Sequence, residues 1–185
     1  MRVISGEFRG RNLEQLVGME IRPTSDRVKE SLFNMLGTRL IDCAFLDLFA
    51  GTGGIGIEAY SRGAAQVVFI DESAKSIKVL KTNLDKLHIS DKVEVYNIDY
   101  LNAINKLAYD NKKFDIIFID PPYLKGFEQN ALAKISEYKM LADEGIIVVE
   151  HDLKDKMPEN TGELKLTRQK RYGNTMLSFY VSKEE

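Results

Sequence analysis

The sequence predicts a doubly wound α/β fold on a mostly parallel sheet of seven strands, and three observations predict it. Short β-branched and aromatic runs recur along the chain, several of them apolar on both faces as buried parallel strands are. Segments with helical apolar spacing lie between these runs, the alternation of a doubly wound sheet. The chain then closes on two strand-like runs joined by Gly173-Asn174, the signature of an antiparallel hairpin at one sheet edge.

Residues 1–22 read as a small hairpin arm, RVISGEF and RNLEQLV turning at Gly10, ahead of a single domain over 23–185. Pro23 and Thr24-Ser25-Asp26 precede RVKESLFNML, a capped helix with Val28, Leu32 and Leu36 toward the core. The strands follow as AFLDLF (44–49), QVVFID (66–71), KVEVYN (92–97), FDIIFID (114–120) and GIIVVE (145–150). Between the second and third, residues 73–87 place Ile77, Leu80, Leu84 and Leu87 at helical spacing behind a Ser73 cap. Residues 128–140 supply another helix, and LKLTRQKRY with TMLSFYVS forms the closing hairpin.

Length and composition bound the function. With 185 residues, 44% hydrophobic and 29% charged, the chain suits one globular domain with a real core. A formal net charge of −2 does not advertise a nucleic-acid binder, so the distribution of charge matters more than its sum. Arg2, Arg9 and Arg11 cluster at one end, and Lys165, Arg168, Lys170 and Arg171 form an acid-free run near the other. The single cysteine, Cys43, lies in an apolar run as a buried structural thiol would. No signal-like segment or run of ~18 apolar residues is present, so a cytoplasmic protein is expected. His88 and His151 have no ligand-spaced partners, and no metal site is expected.

Gly51-Thr52-Gly53-Gly54-Ile55-Gly56 satisfies the dinucleotide pattern G-x-G-x-x-G, a weak signal alone. Asp47, four positions before Gly51, can orient the loop and receive a cationic ligand group, but it would repel a pyrophosphate. Asp71, at the end of the second strand, suits two ribose hydroxyls or the capping of the helix behind it. The deciding residues are Asp120-Pro121-Pro122-Tyr123, after the fourth strand. Consecutive prolines remove backbone donors and hold the chain extended, which fixes a row of carbonyl acceptors. With the Asp120 carboxylate, that row can receive both hydrogens of an exocyclic amine while a base stacks on Tyr123. Such an amine is a poor nucleophile until its lone pair is freed from the ring, and pyramidal geometry frees it.

DLFAGTGGIGIEA, Asp71 and DPPY together resemble class I S-adenosylmethionine-dependent methyltransferases that act on exocyclic nitrogens. RVISGEFRGR, IRPTSDRVKESLFNML and DLFAGTGGIGIEAYSRGA are similar to the RsmD family, bacterial 16S ribosomal RNA guanine-N2 methyltransferases, from about Arg2 to Val181. The resemblance implies a Rossmann-like methyltransferase using S-adenosylmethionine. It assigns Asp47, Gly51, Gly53, Gly56, Asp71 and Asp99 to the cofactor, Asp99 being also a candidate loop cap. It assigns Asp120, Pro121, Pro122 and Tyr123 to the target guanine. Arg2, Arg9, Arg11, Arg22, Arg27 and Arg171 become candidate RNA contacts, the partner being 16S ribosomal RNA in the small subunit, with no membrane and a monomeric protein. Asp120 is shared with adenine-N6 enzymes, so an adenine-N6 methyltransferase of DNA or RNA stays open. A dinucleotide oxidoreductase would leave DPPY unexplained, and an inactive RNA-binding module would have no use for Asp120.

Overall fold

The computed structural model describes residues 1–16, 26–123 and 125–183. After the N-terminal arm come α1 (Asp26–Leu36), a 3-10 turn (Gly37–Leu40), β1 (Ala44–Asp47), α2 (Gly54–Ser61), β2 (Gln66–Ile70), α3 (Ala74–Lys86) and β3 (Glu94–Tyr96). Then follow α4 (Tyr100–Tyr109), β4 (Phe114–Ile119), α5 (Phe127–Glu137), β5 (Leu141–Asp152), β6 (Asn160–Thr161), β7 (Leu164–Tyr172) and β8 (Thr175–Ser182). The sheet order is β3-β2-β1-β4-β5-β8-β7-β6. β1 to β5 pair in parallel, whereas β8, β7 and β6 are antiparallel.

Strand periodicity divides the core between the two faces of the sheet. Phe45, Phe69, Ile116 and Phe118 point to the face covered by α1, α2 and α3, while Leu46, Ile70, Ile117 and Ile119 point to the face covered by α4 and α5. The expected helical stripes are buried: Val28, Leu32 and Leu36 on α1, and Ile77, Leu80 and Leu84 on α3. Each such side chain contributes about 1.5–3 kcal/mol of burial. Ser73 caps α3 through a bond from Ser76 N (3.2 Å), and the hairpin forms around Gly173-Asn174.

The structure adds β6, α2 and α4 to the elements read from the sequence. The sheet has eight strands because the two-residue β6 pairs with the start of β7, a segment too short to carry alternation. α4 was not anticipated, although Ala103, Ile104 and Leu107 form its buried face. The proposed Thr24-Ser25 cap and Arg22 lie outside the described residues.

Residues 1–13 turn back on themselves, with Arg2 bridged to Asn12, and sit against the domain. Val3 and Leu13 are buried in the core. The Glu58 carboxylate of α2 accepts from Ile4 N (2.8 Å) and Ser5 N (3.0 Å), and Ser61 Oγ accepts from Phe8 N (2.9 Å). At Gly6, φ is +81° and a Cβ would fall 1.7 Å from the Ser61 carbonyl oxygen, so only glycine permits this approach. Arg2, Arg9 and Arg11 remain exposed on the outside of the arm.

Candidate active site

The order β3-β2-β1-β4 reverses direction between β1 and β4, and ligands bind beyond the carboxyl ends of the strands at such a point. The expected acids collect there because each ends or follows a strand: Asp47 closes β1, while Asp71, Asp99 and Asp120 come just after β2, β3 and β4. All of them line one cavity of about 620 Å³, together with the glycine loop, Pro121, Pro122 and Tyr123.

The loop is shaped by its acids. Asp47, 2% exposed, accepts from Gly56 N through Oδ2 at 2.9 Å, which aims the start of α2 at the cavity. Gly53 caps α2 at φ +90°, and a Cβ at Gly56 would meet the Phe69 ring at 2.3 Å. Asp71 Oδ2 accepts from Gly51 N and Oδ1 from Ser73 N, both at 2.8 Å. Its carboxylate therefore organises the loop, using two of about four acceptor positions and leaving the others for a ligand. Asp99 is the cap of α4, accepting from Leu101 N and Asn102 N at 3.1 Å each, so the capping role is realised while its side chain still lines the cavity.

The DPPY turn is tied to β5 through Tyr123. Tyr123 donates from its hydroxyl to Glu150 Oε1 at 3.3 Å, Glu150 being buried near the end of β5. Burial, with the Glu150 and Asp120 charges, raises the Tyr123 phenol and keeps it neutral. Phe49, Tyr100 and Phe127 form a tilted aromatic row with centroids 5.1 and 5.4 Å apart, apolar surface along the same cavity.

Sequence reasoning missed several residues here. Met1, Gln15 and Leu16 bring the arm to the cavity, and Lys29 of α1 also lines it. Lys29 is 0% exposed and contacts Glu58 Oε2 (3.3 Å) and the Arg2 carbonyl (2.7 Å). No local periodicity announces such a pair, although a charged residue on the buried stripe of α1 was a visible signal. Arg27 and Arg171 are exposed, and Arg2 meets Asp26 at the surface (3.6 Å). His151 is a buried structural residue hydrogen-bonded to Ser178 Oγ (2.7 Å), and burial lowers its pKa. Cys43 is buried and pushed up to about 12, an inert thiol. Among the described residues no cluster of His, Cys, Asp or Glu is arranged to hold a metal ion, and no helix is long and apolar enough to cross a membrane.

Among its charged residues, the described lining of the cavity is predominantly acidic. Asp47, Asp71, Glu72, Asp99 and Asp120 line it, and Lys29, the basic residue among its described lining, is paired with Glu58. Burial pushes the Asp47 carboxyl up to about 7, with a smaller contribution from Asp71, against the pull of the Gly56 N–H. A ligand ammonium beside Asp47 favours the ionised form and draws that value down. Affinity for a cationic ligand should therefore rise with pH by up to about tenfold per unit below 7 and level off above it. Asp47→Asn should abolish the slope, as titration calorimetry across this range would show.

The sheet order, the glycine loop into α2 and the strand-end acids define a Rossmann-like methyltransferase. The chain belongs to the family described as Conserved hypothetical protein 95, which matches residues 1–181, and lies among its RsmD-like methyltransferases. It is 44% identical to the Bacillus subtilis protein named "Putative rRNA methyltransferase YlbH", over 97% of this chain and 98% of that one. Its identity to Escherichia coli Ribosomal RNA small subunit methyltransferase D is 34%, over 97% of this chain and 89% of the relative. Among solved structures it matches the Escherichia coli protein titled "Putative methyltransferase yhhF" with a TM-score of 0.86 at 34% identity, covering 100% and 99% of the two chains. The fold also matches, at a TM-score of 0.66 and 18% identity over 88% and 95% of the chains, an RNA methyltransferase from Salinibacter ruber solved with S-adenosyl-L-homocysteine.

Proposed function

We propose that this protein transfers a methyl group from S-adenosylmethionine to the exocyclic N2 of a guanine in 16S ribosomal RNA, in the small subunit. The observation that carries the reading is the placement of Asp120, Pro121 and Tyr123 on the same cavity as Asp47 and the glycine loop. That arrangement sets amine acceptors and a stacking ring beside a pocket for a cationic, nucleoside-bearing ligand.

The residues fit the cofactor. Asp47 suits its ammonium, the remaining acceptor positions of Asp71 suit ribose hydroxyls, and Ile98, Asp99 and Tyr100 suit the adenine. A dinucleotide would set its pyrophosphate among the acids. When bound, S-adenosylmethionine supplies a methyl group on a positively charged sulfur, an already activated donor. The protein's share is orientation and electrostatics. The guanine leaves its stack at a cost of a few kcal/mol, offset by about 1–3 kcal/mol of stacking on Tyr123. Asp120 and the carbonyls of Asp120 and Pro121 accept the N2 hydrogens and favour the pyramidal geometry in which nitrogen can attack. The proton leaves after transfer, when the amine has become acidic, so Asp120 needs no raised basicity. Glu150 holds the Tyr123 hydroxyl and so the plane on which the base rests.

The exposed arginines of the arm suit RNA phosphates, with Arg27 and Arg171 as further contacts. The arm packs through Val3, Leu13 and its backbone, which leaves the Arg9 and Arg11 side chains available. The Arg9→Ala, Arg11→Ala double variant should retain thermal stability and cofactor affinity. Its methylation of ribosomal substrate should fall. Its salt dependence of RNA binding should flatten by roughly one to two units, because a phosphate that no arginine neutralises keeps its counterions. An unchanged salt slope would remove the arm from the RNA interface.

The proposal is tested by offering labelled cofactor with isolated unmodified small ribosomal subunits and, separately, duplex DNA. Label in subunit RNA supports it, and label in DNA alone refutes it.

A further inference from the structure

Asn83 lies on α3, is 0% exposed, and touches neither the expected cofactor residues nor the DPPY turn through any hydrogen bond described for its side chain. Three hydrogen bonds nevertheless hold its amide. Oδ1 accepts from Glu14 N at 2.7 Å, and Nδ2 donates to the Glu14 carbonyl at 3.1 Å and the Thr52 carbonyl at 3.0 Å. Both backbone groups of one arm residue are thus bound by the side chain that also holds the cofactor loop.

Beyond that clamp the arm walls the cavity. Gln15 and Leu16 follow Glu14 directly, and Met1 reaches the cavity from the other strand of the arm. A Cβ on Gly54 would fall 2.4 Å from the Met1 sulfur, so the arm touches the start of α2 as well. The arm and the loop share a wall and share Asn83.

We infer that Asn83 is a positioning residue that couples the seating of the N-terminal arm to the binding of the cofactor. The inference rests on reading this cavity as the cofactor site. Because Thr52 and Glu14 are held by the two hydrogens of one nitrogen, a ligand that fixes the glycine loop also fixes the amide that seats the arm. Coupling of this kind is reciprocal: a seated arm tightens the cofactor, and bound cofactor protects the arm. RNA that engages the outer arginines of the seated arm raises cofactor affinity by the same route. Aspartate cannot substitute, since it would turn an anionic oxygen toward two carbonyl oxygens.

The test uses the full chain. Calorimetry first measures S-adenosyl-L-homocysteine binding, and the same samples enter amide hydrogen exchange with and without that ligand. Exchange at Leu13, Glu14 and Val3 should slow several-fold when the ligand saturates. Absence of binding would overturn the cofactor reading and the coupling with it; binding without any change in the arm would overturn the coupling alone. Asn83→Ala should raise the KM for S-adenosylmethionine about tenfold, with kcat at saturating cofactor within about twofold of wild type, and Asn83→Asp should not rescue it. Lys86→Ala, which removes a surface ion pair to the Glu14 side chain (2.5 Å), should leave KM unchanged. A drop in Tm with unchanged KM in Asn83→Ala would reduce the residue to a structural role and refute the proposal. Should that variant fail to fold, exchange on the wild type decides.

Discussion

Asp120→Ala is expected to lower the rate of methyl transfer by about 10² to 10³, the usual cost of removing one preorganised group from a reacting centre. The side chain sits just beyond β4, ahead of two prolines that fix its backbone, and it lines the cavity near Tyr123. Its removal leaves the glycine loop intact, because Gly51, Gly56 and Ser73 are held by Asp71 and Asp47. Cofactor affinity should therefore stay close to wild type, which separates this variant from a misfolded one. Asp120→Asn keeps an acceptor oxygen and should retain part of the activity. Single-turnover rates at saturating cofactor are the measurement, and a normal rate for Asp120→Ala would remove the carboxylate from the chemistry.

Glu58→Ala is expected to be the most destabilising of the simple truncations. Glu58 is 0% exposed and meets Lys29 Nζ (3.3 Å), Arg62 Nε (2.8 Å) and the Ile4 and Ser5 amides. Deleting it strands a buried ammonium and two backbone donors, at about 3–5 kcal/mol. That is a large part of the ~5–15 kcal/mol typical of a whole domain. Burial already lowers the Lys29 pKa, with Glu58 the main opposing influence, so the variant removes the group that chiefly offsets the cost of burying this ammonium. Lys29→Met should cost less, because Glu58 keeps Arg62 and both amides. Chemical denaturation of the two variants checks the order, and a Lys29→Met loss equal to that of Glu58→Ala would contradict it.

These two residues also mark where sequence reading ends. Asp120 was legible because its meaning is local: a strand, an acid, two prolines and an aromatic in succession. The α3 stripe and the Ser73 cap were legible for the same reason, as was the ability of Asp47 to orient the loop that follows it. Glu58 was not, because its partners come from the arm and α1, brought together only by packing. Glu150 meets Tyr123 across adjacent strand ends, a neighbour that sheet order creates and residue spacing does not encode. α4 was hidden by Asn102 and Asn105 among its apolar positions, although Asp99 and Ile104 were available to mark it. Asp71 and Asp99 carried two compatible meanings, ligand acid and local cap; the hydrogen bonds display the capping meaning for Asp99, whereas Asp71 holds Gly51 N and Ser73 N ahead of a helix that Ser73 caps.

The most direct measurement is the identity of the methylated nucleoside. Small ribosomal subunits lacking the modification are incubated with the protein and labelled S-adenosylmethionine, the 16S RNA is digested, and the nucleosides are separated and weighed by mass spectrometry. Label in N2-methylguanosine at a single site, lost with Asp120→Ala, is the predicted result. Label in N6-methyladenosine or a methylated cytosine would contradict the guanine assignment, and no label in any nucleoside would contradict the reaction itself.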